Sequence, residues 1–469
     1  MNGLGENLRD AGLRRRLEVA AICFTLVTVS ACDSKREHAH CPNLPIATGV
    51  LGQSGFDTGT SNSGGVSASS LSSPSGSVAS DGVRTYVADT ANNRILGYLG
   101  LPTGVGVPAD FELGQGDASG SDFAGHAAGA GPTLLSAPGK VWISGDGKLV
   151  VTDTGNNRVL VWNTLPTANT APDLVIGQPD FSSFRANQQL SSPTAYTLSA
   201  PTAAVIANGS LIVADRGNNR VLIWSAVPST PNTPADVELG QAQSKTAASV
   251  TTNCTANTGT NGFCFTTSAA HGDTVADATP TTLGLSAPSD LWSDGYKLLV
   301  SDSGNNRVLY WSQIPFANNG LYDDIIGQSA PGIGTAAAGA AGLNAPWGVY
   351  SDGATIYVGD SGNNRVLLFG GFPVKHGQEA FGLFGQSGFD NTAANDNDQN
   401  GLAGDQHSAT GSLSPTFNTL NFPTGVYATS NGSLYVADHG NHRLMIFPLA
   451  AAVNGTRPNS CDGGNPRID

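Results

Sequence analysis

Val151-Thr-Asp-Thr-Gly-Asn-Asn-Arg158 is one of six copies of a single phrase. The others are Val87-Ala-Asp-Thr-Ala-Asn-Asn-Arg94, Val213-Ala-Asp-Arg-Gly-Asn-Asn-Arg220, Val300-Ser-Asp-Ser-Gly-Asn-Asn-Arg307, Val358-Gly-Asp-Ser-Gly-Asn-Asn-Arg365 and Val436-Ala-Asp-His-Gly-Asn-His-Arg443. Recurrence of one phrase along a chain marks a fold assembled from one supersecondary unit. An apolar run follows each copy and ends in an aromatic: Tyr98, Trp162, Trp224, Trp311, Phe369 or Phe447. Ahead of each copy lies a strand signal that opens after Pro74, Pro138, Pro201, Pro288, Pro346 or Pro423, a position where strands accept proline.

A second element, Gly-Gln after an apolar residue, also occurs six times, at Gly52-Gln53, Gly114-Gln115, Gly177-Gln178, Gly240-Gln241, Gly327-Gln328 and Gly385-Gln386. From each Asp to the following Gly the spacing is 25, 24, 25, 25 and 25 residues. Each unit therefore reads as four short strands, A to D. A follows the Pro, B ends at the Asp, C runs from the Arg and D ends at Gly-Gln. Four-stranded units in series are propeller blades. The order of the elements predicts how the ring closes. One Gly-Gln precedes the first phrase and none follows the sixth, so a spare strand D, about residues 46–53, should complete the last blade. The predicted fold is all-β, a six-bladed β-propeller of four-stranded blades closed by an N-terminal strand.

The phrase, and most of all Asn441-His442 in its last copy, resembles the NHL repeat, over about residues 46 to 447. The resemblance implies a propeller and supports many functions. Six equivalent copies argue for turn chemistry rather than a unique catalytic site. Asp89, Asp153, Asp215, Asp302, Asp360 and Asp438 are expected to be structural. So are Arg94, Arg158, Arg220, Arg307, Arg365 and Arg443, each pairing with its Asp across the B–C turn or with a neighbouring blade. Gly in the turn is expected to supply the positive φ. The C-strand aromatics are expected to pack between blades.

The first residues read as an address. Arg14, Arg15 and Arg16 precede an apolar run from Val19 to Ala31, too short to span a bilayer, which takes about 20 residues, and suited to a signal peptide. Val29-Ser30-Ala31-Cys32 resembles the bacterial lipobox. The resemblance implies that Cys32 carries lipid and begins the mature chain. The predicted organisation is a lipoprotein signal peptide at 1–31, a lipidated tether at 32–45, the propeller at 46–450 and a tail at 451–469. The expected location is the bacterial cell envelope, with a lipid anchor in a membrane and the protein facing periplasm or exterior. Four other mature cysteines remain, an even number that in an exported chain reads as disulfides. Cys254 with Cys264, and Cys41 with Cys461, are the expected pairs; free thiols are the alternative.

With 60 Gly, only 12 % charged residues and a formal net charge of −14, the chain has no basic stripe to meet phosphates, and nucleic-acid binding is not expected. The variable stretches all lie between strand D and the next strand A, on one face of a propeller, and the two longest are about 242–283 and 387–419. Loops on a rigid scaffold are where recognition concentrates. The second holds Asp396, Asp398, Asn400 and Gly401, spaced like the start of an EF-hand-type calcium loop; the twelfth position is His407 instead of Glu, and a polar turn is the alternative. Along the early A strands only Lys140 and Asp290 are charged, and no ring of His or Glu is seen. The expected function is a non-enzymatic scaffold for a protein or glycan ligand, requiring no cofactor. The alternative is a lyase or hydrolase with a metal-assisted site at the channel.

Overall fold

The computed structural model describes residues 45–76, 78–115, 119–125, 127–190, 192–241, 283–395 and 415–451. They form six antiparallel four-stranded sheets, each wound from an inner strand A to an outer strand D. Blade 2 is typical, with strands Pro138–Ile143, Leu149–Asp153, Arg158–Trp162 and Leu174–Ile176. A register shift at the start of its strand A separates Pro138 from Val141, and blades 4 and 6 open the same way. Such a bulge re-aims the strand without ending its pairing.

Blade 6 is composite. Its strands A to C are Pro423–Ala428, Ser433–Asp438 and Arg443–Pro448. Its fourth strand is Gly49–Leu51, paired as Gly49 with Ile446, Val50 with Met445 and Leu51 with Leu444. The ring therefore closes through the N-terminal strand, and Val50 and Leu51 are fully buried there.

The apolar core is divided into six clusters, one at each blade-to-blade interface. Each C-strand aromatic packs against the preceding blade. Trp224 lies with Val150 and Val161 of blade 2, Trp311 with Ile212 and Val221 of blade 3, and Phe447 with Val366 and Phe384 of blade 5. The indole N–H groups of Trp162, Trp224 and Trp311 donate to carbonyls of their own C–D turns, at 2.9 Å in all three. These large rings thus bury area without stranding a polar group.

Candidate functional site

The repeated Asp ends strand B fully buried in all six blades. Its Oδ2 accepts from Arg Nε at 2.6–2.8 Å and from the first Asn at 2.7–2.8 Å. Its Oδ1 accepts a backbone N–H from the approach to strand A, at Ser72, Ser136, Ser199, Ser286, Asn344 or Asn421, at 2.6–2.7 Å. Burial pushes the carboxyls of Asp89, Asp153, Asp215 and Asp360 up, against the pull of the neighbouring guanidinium.

The Arg does more than pair. Its Nη2 donates to carbonyls of the segment arriving at strand A. Arg94 reaches Ser67 and Ser70, Arg220 reaches Thr194 and Thr197, and Arg443 reaches Thr416 and Thr419, all at 2.8–3.2 Å. Its Nη1 reaches the segment leaving strand D: Phe123 for Arg94, Pro331 for Arg307 and Phe56 for Arg443. In blades 1 and 3 the same nitrogen also meets Glu112 or Glu238. Each buried guanidinium therefore holds the stems of the connections on one face, a task for which its rigid fork of donors is suited.

The turn differs from the sequence expectation at Gly. Positive φ falls on the second Asn, at 53–57° for Asn93, Asn157, Asn219, Asn306 and Asn364, and at 53° for His442. Asn tolerates that region better than most residues. Gly is needed for closeness instead: a Cβ on Gly217 would stand 2.6 Å from the Ser199 carbonyl oxygen. The second Asn also joins blades. Its Oδ1 accepts from the backbone N–H of Ala137, Ala200, Ala287, Ala345 or Phe422 in the next blade, at 2.7–2.8 Å. At the ring seam His442 Nδ1 accepts from Ser73 at 2.9 Å.

Lys140 and Asp290 meet across the centre at 2.6 Å, both almost fully buried. Lys140 also donates to the Leu291 carbonyl, and Asp290 accepts from Val349 N–H. The pair ties blade 2 to blades 4 and 5. Sequence alone shows these two charges but not their meeting, since they stand 150 residues apart. Among the described residues, no three His, Cys, Asp or Glu side chains converge as a metal site would require. Cys32, Cys41, Cys254, Cys264, Cys461, Asp396, Asp398 and Asn400 lie outside the described residues.

One position escaped the sequence reading. In five blades the residue after the repeated Asp bonds to the start of strand A in the next blade. Thr90 donates to the Pro138 carbonyl at 2.8 Å, Thr154 to Pro201 at 2.7 Å and Arg216 to Ala287 at 2.8 Å; Ser361 meets Pro423, and His439 meets Pro74. Its variability hid it, because the acceptors are backbone carbonyls and leave no mark in the sequence.

The NHL repeat family model matches residues 420–447. No curated protein sequence matches the chain. Among solved structures, virginiamycin B lyase from Staphylococcus aureus is 12 % identical, with 80 % of this chain and 94 % of that one covered, at a TM-score of 0.37. An auxiliary nutrient binding protein from Bacteroides thetaiotaomicron is 12 % identical, covering 80 % and 69 %, at 0.40. The WD40 propeller domain of Doa1 is 9 % identical, covering 82 % and 79 %, at 0.36. At such scores and identities the likenesses assign no activity. With six matching blades and a family match in the last, the chain is a six-bladed β-propeller built on repeats similar to the NHL repeat.

Proposed function

We propose that this protein is an envelope-anchored binding scaffold that presents the face carrying its D-to-A connections to a protein or glycan partner. The observation that carries the reading is the arginine clamp. Connections of very different length share one stem geometry because a buried guanidinium bonds their backbone. A face on which stems are fixed and loop content is free suits recognition. The central ion pair supports the same reading, since Lys140 and Asp290 satisfy each other and tie the blades together.

Lipid on Cys32 would hold the propeller at a membrane, with two acyl-type signals giving stable anchoring. Disulfides Cys41–Cys461 and Cys254–Cys264 would fasten the chain ends and the first long insertion, and Asp396, Asp398 and Asn400 would form a calcium loop in the second. The test is recovery of envelope components by the full chain and by variants shortened within 242–282 and 396–414. Loss of the recovered partner on shortening supports the reading; equal recovery overturns it. Fatty-acid labelling that survives Cys32→Ser would overturn the anchor. A melting temperature unmoved by excess calcium would overturn the calcium loop.

A further inference from the structure

Three repeat positions lie where the B–C turn of one blade meets the start of strand A in the next: the residue before the Pro, the residue after it, and the residue after the Asp. In most copies they hold only Ser, Thr, Ala or Gly, as at Ala137, Gly139 and Thr154 in blade 2. The exceptions are Arg216, Trp347, Phe422 and His439. They come from blades 3, 5 and 6, yet they form one continuous arc. The Arg216 guanidinium lies over the Trp347 ring at 4.5 Å. Trp347 meets Phe422 edge-on at 6.2 Å, and Phe422 meets His439 edge-on at 6.1 Å. All four are half-buried.

Two features set this arc apart from ordinary packing. Phe422 has φ of 53°, a left-handed conformation that is an outlier for a bulky residue. The equivalent residues in the other blades share that conformation but are Ser or Ala. Arg216 is a half-buried cation with no carboxylate partner among the described residues; its bond is to the Ala287 carbonyl. His439 donates through Nδ1 to the Pro74 carbonyl. Burial lowers its pKa, which leaves Nε2 as an acceptor and Arg216 as the local positive charge.

We infer that this arc is a binding site for a small aryl carboxylate, with the carboxylate on Arg216 and the ring against Trp347 and Phe422. Guanidinium binds carboxylate with two parallel donors, and flat aromatic faces select a planar ring over a puckered one. The proposal uses no residue of the insertions and no lipid, so it stands or falls apart from the scaffold reading.

Calorimetry and ligand-observed NMR on the full chain, with benzoate, p-coumarate, cyclohexanecarboxylate and benzyl alcohol as probes, test it. The two aryl carboxylates should bind, and the saturated acid and the uncharged alcohol should bind at least tenfold more weakly. Arg216→Thr, Trp347→Ser and Phe422→Ala install the residues found in the other blades, so these variants should fold. Each should weaken aryl-carboxylate binding at least tenfold, and Phe422→Ala should melt no lower than the parent. Failure of the intact chain to bind either aryl carboxylate at millimolar concentration would overturn the proposal. So would binding undiminished in Arg216→Thr and Trp347→Ser, or equal binding of all four probes.

Discussion

Blades 3 and 6 use the same bonds to different ends. In blade 3 strand D, Val237–Leu239, follows strand C along the chain, and Gln241 ties its end to the Asn219 carbonyl at 3.0 Å. In blade 6 strand D comes from the other end of the chain, and Gln53 ties it to the His442 carbonyl at 2.9 Å. Arg443 likewise holds Phe56, as Arg307 of blade 4 holds Pro331. The seam therefore repeats the blade's own hydrogen bonds and lacks only the covalent C–D turn. Without closure a propeller exposes unpaired strand edges, and among the described residues the seam is held by hydrogen bonds and buried apolar contacts.

The largest expected effect separates the two blades. Removing residues 46–53 should open the ring and abolish a single cooperative melting transition, a loss beyond the roughly 2–5 kcal/mol of one buried Leu truncation. Leu51→Ala and Leu239→Ala should each cost about 2–5 kcal/mol at equilibrium, while only Leu51→Ala should also speed exchange of the blade 6 strand C amides. Next, Arg443→Ala and Arg220→Ala should each cost about 3–5 kcal/mol by denaturant unfolding, because each leaves a buried carboxylate unpaired. The central pair is the control that lies in neither blade. Lys140→Ala should cost a similar amount, and Lys140→Met with Asp290→Leu should recover most of it.

Much of this fold is legible in the sequence because the Asp, Asn, Arg, Gly-Gln and C-strand aromatic positions recur at nearly constant spacing. The order of Gly-Gln and Asp along the chain also reveals the composite blade. The role of Arg Nη2 is not legible, since its acceptors are main-chain carbonyls of residues as unlike as Ser67, Gly131 and Thr416. The turn Gly was misread for a related reason. Its constraint comes from a neighbouring segment, at Ser199 or Ser286, and not from its own dihedrals. The arc from Arg216 to His439 is visible in the sequence only as departures from the repeat. Its coherence appears once blades 3, 5 and 6 are placed around the ring.

A smaller effect follows from that constraint. Gly217→Ala should cost about 1–3 kcal/mol through crowding, whereas Ala91→Gly in blade 1 should change the melting temperature little. There the Ala91 N–H to Ser72 bond is 3.1 Å, against 2.8 Å at Gly217. The smallest expected effect belongs to the seam histidine. Burial and the neighbouring His439 lower the pKa of His442, so the folded state favours its neutral ring and Nδ1 can accept from Ser73. The unfolded chain takes up the proton first. Stability is therefore full above the unfolded value of about 6.5 and declines as pH falls below it. His442→Asn, the residue of the other blades, would accept the same Ser73 N–H through Oδ1; it should keep the seam bond and remove only its pH dependence, of about 0.5–1.5 kcal/mol, read as a flatter melting temperature between pH 7 and pH 5.

Ring closure is tested most directly by cysteine pairing across the seam. With Val50→Cys, a partner at Met445→Cys sits directly opposite, and oxidation followed by peptide mass mapping should join the two segments within one chain. A chain in which residue 50 joins a strand C of another blade, or in which no Val50–Met445 link forms while the protein stays folded, would contradict the closure.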